Sequence, residues 1–263
     1  MLVARALGIR SEDLVRGPEQ RLSDADAEAL SGWVARREAR EPLGRIAGER
    51  EFYGRTFRLS AETLEPRPDS ETLIDTTLAL ARGDPKLSGP LRIIDIGTGT
   101  GCLLLTLLAE LPNATGVGTD VSAGALEVAV ENSERLGLAG RAAWRQARGL
   151  AMVDETFDIM VSNPPYIPSA EIAGLPPEVR WFDPRTALDG GEDGLELYRE
   201  IAGAWACVVP EGLVVLEVGA GMADDVVRLF AEGPHRAMVE KITLKRDLAG
   251  HLRCVAVQTR RRK

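Results

Sequence analysis

The segment from Leu91 to Glu110 restricts the fold of this chain more than any other. Its first part, Leu91 to Ile96, is mainly apolar and predicts a buried strand, and Cys102 to Glu110 predicts the helix that follows. A second strand is predicted near Thr115 to Thr119. Strands and helices that alternate in this way are typical of one sheet covered by helices, so the sequence predicts an α/β fold.

The loop that joins this strand to its helix is rich in glycine. It reads Asp-Ile-Gly-Thr-Gly-Thr-Gly from Asp95 to Gly101. Glycine lets a ligand approach the backbone closely, and the start of the next helix presents N–H groups that have no helical partner. Asp120 ends the second strand, where a carboxylate is placed to accept both hydroxyls of a ribose. These features predict a nucleoside-binding site formed by Gly97, Thr98, Gly99, Thr100, Gly101 and Asp120.

The spacing of the glycines bears on which nucleoside is bound. The dinucleotide motif Gly-x-Gly-x-x-Gly would place its third glycine at position 102, which is Cys102. The spacing after Asp95 is Gly-x-Gly-x-Gly, which resembles motif I of the Rossmann-like methyltransferases that bind S-adenosylmethionine. That resemblance implies S-adenosylmethionine as cofactor and S-adenosylhomocysteine as product, with Asp95 and Asp120 supplying negative charge to the cationic cofactor. The alternative is that the glycines only allow close packing of strand against helix.

A second candidate site follows a later strand. The apolar run from Phe157 to Val161 is typical of a strand buried on both faces, and Asn163, Pro164 and Pro165 end it abruptly. Because proline has no backbone N–H and a fixed φ, the preceding carbonyls are left unpaired in a stiff turn, with Tyr166 beside them. The Asn163 side-chain oxygen and the Pro164 carbonyl would then accept both N–H groups of a planar amino group that stacks on Tyr166. An ordinary turn after a core strand is the alternative.

The N-terminal part of the chain has helical periodicity. We predict a small helical domain over residues 1–48, in which Ser23 caps one helix and Pro42 with Gly44 interrupts the pattern. The apolar face of the capped helix consists of Ala27, Leu30, Trp33 and Val34. Two or three helices of this size are too small to fold alone, so they are expected to pack against the rest of the protein.

The segment over residues 49–65 is predicted to be a β-hairpin linker, because aromatic and β-branched residues surround a glycine there. The α/β domain would span residues 66–263 and begin with a helix capped by Asp69 or Ser70. Its later elements are predicted to be one helix at Leu195 to Val209 and strands at Leu213 to Val218, Met238 to Leu244 and Leu252 to Thr259.

The bulk composition narrows the class of protein. With 44% hydrophobic and 27% charged residues, it is typical of a soluble globular protein. The chain has no apolar run of the roughly 20 residues that a membrane helix needs, and its start lacks a signal peptide's apolar region, so we predict a cytoplasmic protein. Its three cysteines and two histidines lack disulfide or metal-ligand spacing, so no metal is predicted. The net charge of −8 argues against direct nucleic-acid binding.

Further motifs make the resemblance more specific. Together with Asn163 to Tyr166, four segments resemble the HemK/PrmC family of release factor glutamine methyltransferases over nearly the whole chain: Leu64 to Glu71, Asp183 to Arg185, Ala187 to Leu195, and Asp247 to Gly250. The Asn-Pro-Pro-Tyr tetrapeptide is shared with adenine N6-methyltransferases, whereas these flanking segments are not. The resemblance implies a Rossmann-like seven-stranded class I methyltransferase domain with a small N-terminal helical domain and a β-hairpin linker.

The same resemblance implies the reaction and its residues. It implies methyl transfer from S-adenosylmethionine to the side-chain amide nitrogen (N5) of the glutamine in the Gly-Gly-Gln motif of peptide-chain release factors. Asn163, Pro164 and Tyr166 are the predicted catalytic residues, they bind the substrate together with Pro165, and Asn163 also contacts the cofactor. The helices before residue 40 and the loop from Ser169 to Gly194 are the expected contacts of the protein substrate.

Two departures from the family pattern and two other functions accompany this interpretation. The helical domain is short for the family, and Ala147-Arg148-Gly149 stands where the family usually has an aromatic contact to the cofactor.

The chain could instead methylate adenine N6 in a nucleic acid with the same Asn-Pro-Pro-Tyr pocket. It could also bind the cofactor without turnover.

Overall fold

The computed structural model describes residues 2–9, 13–16, 23–151 and 153–260. The N-terminal part forms short helices and one longer helix, at α1 (Leu2–Ala6), α2 (Asp13–Arg16), α3 (Asp24–Glu38) and α4 (Leu43–Ala47). Ser23 caps α3 as predicted, because its hydroxyl accepts a hydrogen bond from the Asp26 N–H at 3.2 Å. The apolar face of α3 is only partly covered by described residues, and Val34 is 42% exposed.

The short helix α4 was not predicted. Pro42 and Gly44 were expected only to interrupt the helical pattern, but Pro42 stands at the N-cap of α4 and Gly44 lies inside it. A Cβ at Gly44 would come within 2.5 Å of the Glu65 carboxylate, so a larger residue would have to displace this buried side chain. Proline is favoured at a helix start, and Gly44 faces the Glu65 side chain, which is distant in sequence. Both residues therefore looked like helix breakers in the sequence.

The β-hairpin is present, with strands β1 (Glu49–Phe52) and β2 (Arg55–Arg58) paired antiparallel. Tyr53 and Gly54 form its two-residue turn with φ values of 51° and 71°, which is the left-handed geometry of a type I′ turn. The hairpin also reaches the glycine loop. Buried Asn132 accepts from the Arg58 N–H at 2.7 Å and donates to the Thr100 carbonyl at 2.9 Å. The division of the chain at residues 48 and 65 stays a prediction.

The α/β fold class is confirmed. Seven strands form one sheet in the order β5-β4-β3-β6-β7-β9-β8, with β9 antiparallel to both neighbours and the other pairs parallel. Their bounds are β3 (Arg92–Ile96), β4 (Thr115–Asp120), β5 (Ala142–Gln146), β6 (Ile159–Ser162), β7 (Leu213–Glu217), β8 (Val239–Arg246) and β9 (Leu252–Thr259). The chain order reverses direction across β3, since β4 and β6 lie on its two sides. This is the place in an open α/β sheet where ligands bind, at the carboxyl ends of the strands.

Helices cover both faces of the sheet, so the central strands are buried on both sides, whereas the edge strands β5 and β8 contain no buried residue. Ile93 packs with the helices α5 and α6 and the hairpin on one face, whereas its neighbour Ile94 packs with α9 and α10 on the other. The helices of this domain are α5 (Glu71–Gly83), α6 (Cys102–Glu110), α7 (Ala123–Arg135), α8 (Pro177–Arg180), α9 (Glu196–Val208) and α10 (Ala223–Ala231). Helix α10 was not predicted, although Val226 and Phe230 repeat at helical spacing and are both buried. Within the described ranges, no helix combines the length and the apolar character needed to cross a membrane.

Candidate active site

A cavity of about 530 Å³ opens at the carboxyl ends of β3, β4 and β6. Its size is in the range of small-molecule sites in proteins. Its wall includes four of the five residues of the predicted glycine loop, together with Asp120, Asn163 and Pro165. Two motifs that are far apart in the sequence therefore meet in one cavity. Residues that were not predicted as site residues also line it, among them Glu62, Val121 and Leu197.

The glycine loop is fixed to β4 by its backbone. The N–H groups of Gly97 and Thr98 donate to the Thr119 carbonyl at 2.8 and 2.9 Å. Gly97 and Gly99 have φ values of 70° and 55°, and a Cβ at either position would meet no atom within 4 Å. Their requirement for glycine is therefore conformational, and both leave the backbone open to a ligand.

Gly101 is the one member of the predicted glycine loop outside the cavity wall. It is the N-cap of α6, with a φ of 78°, and a Cβ there would come within 2.9 Å of the Trp144 ring. The alternative left open by the sequence, that a glycine of this loop only allows close packing, thus applies to Gly101. Its predicted cofactor contact stays a prediction.

The Asp120 carboxylate is held in place by two backbone N–H groups. Its Oδ2 accepts from Gly99 at 2.8 Å and its Oδ1 from Ser122 at 2.9 Å. The Gly99 N–H is therefore engaged with the carboxylate and not free for a ligand. Burial raises the pKa of Asp120 above its usual value, and the backbone hydrogen bonds from Ser122 and Gly99 oppose that rise.

Asp95 lies under the loop and does not belong to the cavity wall. It is fully buried and its Oδ2 accepts from the Thr98 hydroxyl at 2.6 Å, while its Oδ1 has no hydrogen-bond partner in the part of the chain that the structure describes. Burial is the largest influence on this carboxyl and raises the pKa of Asp95 to about 7. Of the two acids predicted to face a cationic ligand, only Asp120 contributes to the wall.

The Asn-Pro-Pro-Tyr segment follows β6, whose residues are all buried, as predicted. Asn163 and Pro165 line the cavity, whereas Pro164 is buried beside them and is not in the wall, so acceptance of a substrate N–H by its carbonyl stays a prediction. Tyr166 does not line it, because its ring packs towards Gly219 and Met222 in the core under α9 and α10. Stacking of the substrate on Tyr166 therefore stays a prediction.

The Asn163 side chain is oriented by its neighbours. Its Nδ2 donates to the Ser70 hydroxyl at 3.4 Å, and in the part of the chain that the structure describes its Oδ1 accepts no hydrogen bond. Ser70 was predicted as a possible cap of α5, but it makes no side-chain capping bond and lines the cavity instead. The cap was a reasonable expectation from position alone, since Ser70 does precede Glu71, the first residue of α5.

Glu217 is the main residue of this region that the sequence analysis missed. It ends β7, is 2% exposed, and stands next to Asn163, because Leu216 of β7 pairs with Ser162 of β6. Burial is the dominant influence and raises the pKa of Glu217 to about 7. The available signal was a lone acid at the end of the apolar run from Leu213 to Val218.

Comparison with known proteins places the chain in a family. A PrmC N-terminal domain model matches residues 1–48 and a methyltransferase small domain model matches residues 76–173. The release factor glutamine methyltransferase of Rhodospirillum rubrum is 43% identical over 264 residues, which cover 99% of this chain and 78% of that protein. The chain belongs to the release factor glutamine methyltransferase family. The enzyme of that name from Bradyrhizobium diazoefficiens is 45% identical and covers 98% of this chain and 86% of its own length.

A solved structure agrees on the fold. The catalytic domain of hMettl16, solved in complex with an RNA hairpin, superimposes with a TM-score of 0.63 over 98% of this chain and 90% of that one. Its sequence identity is 18%, so this likeness concerns the fold alone. The Rossmann-like class I methyltransferase fold implied by the sequence is therefore confirmed.

The cavity of this family member has no aromatic side chain among the described residues of its wall. The cavity wall includes Ala147, Arg148 and Gly149. These are the residues that stand in place of the family's usual aromatic contact to the cofactor. Val121 stands next to Asp120 in the wall and is 45% exposed, so it offers an apolar surface beside the acid. Arg148 lies in the loop after β5 and pairs with Glu196, the first residue of α9, and both residues line the cavity.

A buried charge cluster connects the loop after Asn163 to the N-terminal part. The Asp183 side chain is 1% exposed and accepts from Arg45 at 2.8 Å and from Arg67 at 2.5 Å. Arg45 lies in α4 and also donates to the carbonyls of Ser60 and Thr63. The cluster therefore joins α4, the hairpin linker and the loop of the family motif Asp183 to Arg185.

Proposed function

We propose that this protein transfers a methyl group from S-adenosylmethionine to the glutamine N5 of the Gly-Gly-Gln motif of peptide-chain release factors. The observation that carries the proposal is that Asn163, with an unused Oδ1, faces the same cavity as the glycine loop and Asp120. Family membership supports it, since relatives named for this reaction match nearly the whole chain. The reaction is expected to take place in the cytoplasm, where translation terminates.

The cavity residues fit an S-adenosylmethionine molecule. The open backbone at Gly97 and Gly99 admits the amino-acid part, and the oriented Asp120 carboxylate has lone pairs left for two ribose hydroxyls. Val121 presents an apolar surface beside Asp120 that suits the adenine ring. Burial raises the pKa of Asp120, and a positive charge nearby would lower it again, so the site favours a cation.

The chain's part in the reaction is to position the amide and shape its electron density. When bound, S-adenosylmethionine supplies an electrophilic methyl group on a positively charged sulfur that leaves as a neutral thioether. A glutamine amide nitrogen is a weak nucleophile because its lone pair is delocalised into the carbonyl. Asn163 Oδ1 and the Pro164 carbonyl would accept its two N–H groups, favour electron density on nitrogen and aim it at the methyl carbon. The nitrogen gains the methyl carbon and loses one proton to solvent.

Methylation of adenine N6, the alternative raised by the sequence, is not favoured. The relatives that match over nearly the whole chain are named for glutamine in release factors, and the likeness to hMettl16 concerns the fold alone.

The proposal is tested by transfer of a labelled methyl group to purified release factor. A factor whose Gly-Gly-Gln glutamine is replaced by alanine is the control.

The surface beside the cavity is suited to docking a folded protein. The two parts that were expected to contact the release factor touch each other, because Glu178 in α8 pairs with Arg40 at 2.9 Å and with Arg37 at 3.4 Å. Trp181 follows α8 and is 58% exposed, with the Arg180 guanidinium 5.4 Å from its ring centre. Tryptophan and arginine are both enriched among the residues that contribute most to binding at protein interfaces, so this exposed pair is a candidate contact.

We therefore expect Trp181→Ala to raise the KM for folded release factor about tenfold or more, the size of effect seen for an interface tryptophan. The kcat and the affinity for S-adenosylmethionine should stay near wild type, because Trp181 does not line the cavity. The measurement is steady-state kinetics with folded factor and with a short Gly-Gly-Gln peptide, and Val130→Ala, an exposed apolar change on α7, is the control. An unchanged KM for the folded factor would remove Trp181 from the docking surface.

Asp120→Ala should weaken S-adenosylmethionine binding by about 1.5 to 3 kcal/mol, the cost of losing hydrogen bonds to a charged group. Part of the loss comes from the glycine loop, because the Gly99 N–H loses its acceptor. Calorimetric titration measures the affinity, thermal unfolding checks that the variant is folded, and Asp224→Ala on the exposed start of α10 is the control. Cofactor affinity equal to wild type would show that Asp120 is not a ribose contact.

A further inference from the structure

Behind Asn163, polar side chains from separate parts of the chain meet in a buried position. Ser70 precedes α5 and is 3% exposed, and Glu217 ends β7 and is 2% exposed. The Asn163 Nδ2 donates to the Ser70 hydroxyl at 3.4 Å, and Glu217 stands next to Asn163 because Leu216 of β7 pairs with Ser162 of β6. Both Ser70 and Asn163 lower the pKa of the Glu217 carboxyl and so favour its ionised form. The Oε2 of Glu217 is buried and has no hydrogen-bond partner among the described residues. The reaction derived above uses neither Ser70 nor Glu217.

The arrangement matters because an asparagine amide has two faces with opposite hydrogen-bonding character. A half-turn of the side chain exchanges Oδ1, an acceptor, for Nδ2, a donor. Only the first orientation can accept an N–H group of the substrate amide. An ionised carboxylate accepts hydrogen bonds and donates none, so an ionised Glu217 is compatible with Nδ2 at the rear and repels Oδ1 there.

We propose that Glu217 and Ser70 are positioning residues that hold the Asn163 amide with its oxygen towards the cavity. This deepens the proposed function and rests on it, since the orientation is useful only if Asn163 accepts a substrate amide. Ser70 favours the same orientation of the Asn163 amide. When its hydroxyl donates to the Glu217 carboxylate, its oxygen keeps a lone pair that accepts from the Asn163 Nδ2. The three side chains thus act as one unit.

The proposal implies a dependence on pH that can be given a sign. Burial raises the pKa of Glu217 to about 7, while the hydrogen bond from Ser70 and the charge of Arg253 oppose the rise. As the pH falls through this value the carboxyl gains a proton, becomes a donor, and accommodates the flipped asparagine. Activity should therefore fall on the acid side. The charged and titratable groups that face Glu217 are Arg253 on β9, Asp69 beside Ser70, Tyr166, Tyr198 on α9, Cys102 and Cys254.

Of these groups, Arg253 and Asp69 carry a charge that acts on Glu217 with opposite signs. Arg253 is itself held by Asp247 at 3.0 Å, in the family motif Asp247 to Gly250. Burial keeps the pKa values of the two tyrosines and two cysteines above their usual range. These four groups therefore stay neutral where Glu217 titrates.

The test is a double-mutant cycle in the full-length enzyme, with Glu217→Gln, Asn163→Ala and both together. Glutamine keeps the size of the side chain but can donate to a flipped asparagine, so Glu217→Gln should lower kcat about tenfold. In the Asn163→Ala background the same change should have no further effect, because the residue it positions is gone. Glu65→Gln, another buried glutamate that pairs with Arg50 in the hairpin, is the matched control and should leave kcat unchanged.

A second readout does not depend on turnover. The side-chain amide signal of Asn163 in an NMR spectrum, assigned by its absence in Asn163→Ala, should shift with pH between about pH 5 and pH 9 with the titration of Glu217. The shift should persist in Glu65→Gln and vanish in Glu217→Gln. If wild-type enzyme methylates no release factor, the proposed function fails, and the NMR titration still decides on the positioning. Losses in kcat that add in the double mutant, or an Asn163 signal that titrates equally in Glu217→Gln, would overturn the inference.

Discussion

Asn163→Ala is expected to lower kcat for release factor methylation by at least about a hundredfold, the usual cost of removing one oriented group that acts in the transition state. The expectation follows from the position of Asn163, which lines the cavity at the end of β6 with its Oδ1 unused. Asn163→Asp should be nearly as poor, because the introduced carboxylate would lie against Glu217 and lose the donor to Ser70.

Cofactor affinity and the melting temperature separate this loss from a folding defect. Both should stay close to wild type in Asn163→Ala, since the glycine loop and Asp120 are anchored to β4 and not to Asn163. Asn113→Ala, in an exposed turn after α6, is the matched control. If Asn163→Ala turned over at more than about a tenth of the wild-type rate, Asn-Pro-Pro-Tyr would be a structural turn and not a catalytic one.

Asp183→Ala is expected to destabilise the protein by about 3 kcal/mol, the lower end of what removing one partner of a buried ion pair costs. Arg45 carries most of this effect, because its side chain is 6% exposed and would keep a buried charge without a carboxylate. Arg67 contributes less, since its side chain is 39% exposed and water can replace the lost partner.

Urea unfolding of Asp183→Ala measures this free energy, with Asp225→Ala as the control. Asp225 forms a pair with Arg228 on the surface of α10, and such exposed pairs contribute at most about 1 kcal/mol. We also expect Asp183→Ala to raise the KM for folded release factor, because the cluster holds the loop that carries Trp181. Equal stability of the two variants would show that the Arg45–Asp183–Arg67 cluster does not hold α4 to the loop.

Much of the fold could be predicted because it depends on local patterns. The strand and helix at Arg92–Ile96 and Cys102–Glu110 lie within one residue of their predicted bounds, since apolar runs and glycines mark their ends. The cap at Ser23 and the hairpin turn at Gly54 are likewise decided by residues within a few positions. The helix α4 was missed because Gly44 is explained only by Glu65, which is near it in space but lies beyond the hairpin in sequence.

The candidate site was predictable only in part, for the same physical reason. The glycine loop, Asp120 and Asn163 carry their chemistry in short motifs, and the structure brings them to one cavity. The support behind them depends on contacts between distant segments: Ser70 reaches Asn163 across 93 positions, and Arg45 reaches Asp183 across 138. No periodicity or spacing in one sequence records such pairs. For Tyr166, in contrast, the short motif predicted too much: it predicted a contact with the cavity, but Tyr166 is not among the described residues of the cavity wall.

The most direct test of the account is to locate the transferred methyl group. Purified protein, S-adenosylmethionine with a labelled methyl group and folded release factor are incubated together, and peptides of the factor are sequenced by mass spectrometry. Parallel reactions contain DNA, RNA, the factor with alanine in place of the Gly-Gly-Gln glutamine, or Asn163→Ala enzyme. We expect one methyl group on the side-chain nitrogen of that glutamine, with no label in the nucleic acids or the alanine factor and little with Asn163→Ala. Label in a nucleic acid, or on another residue of the factor, would contradict the account.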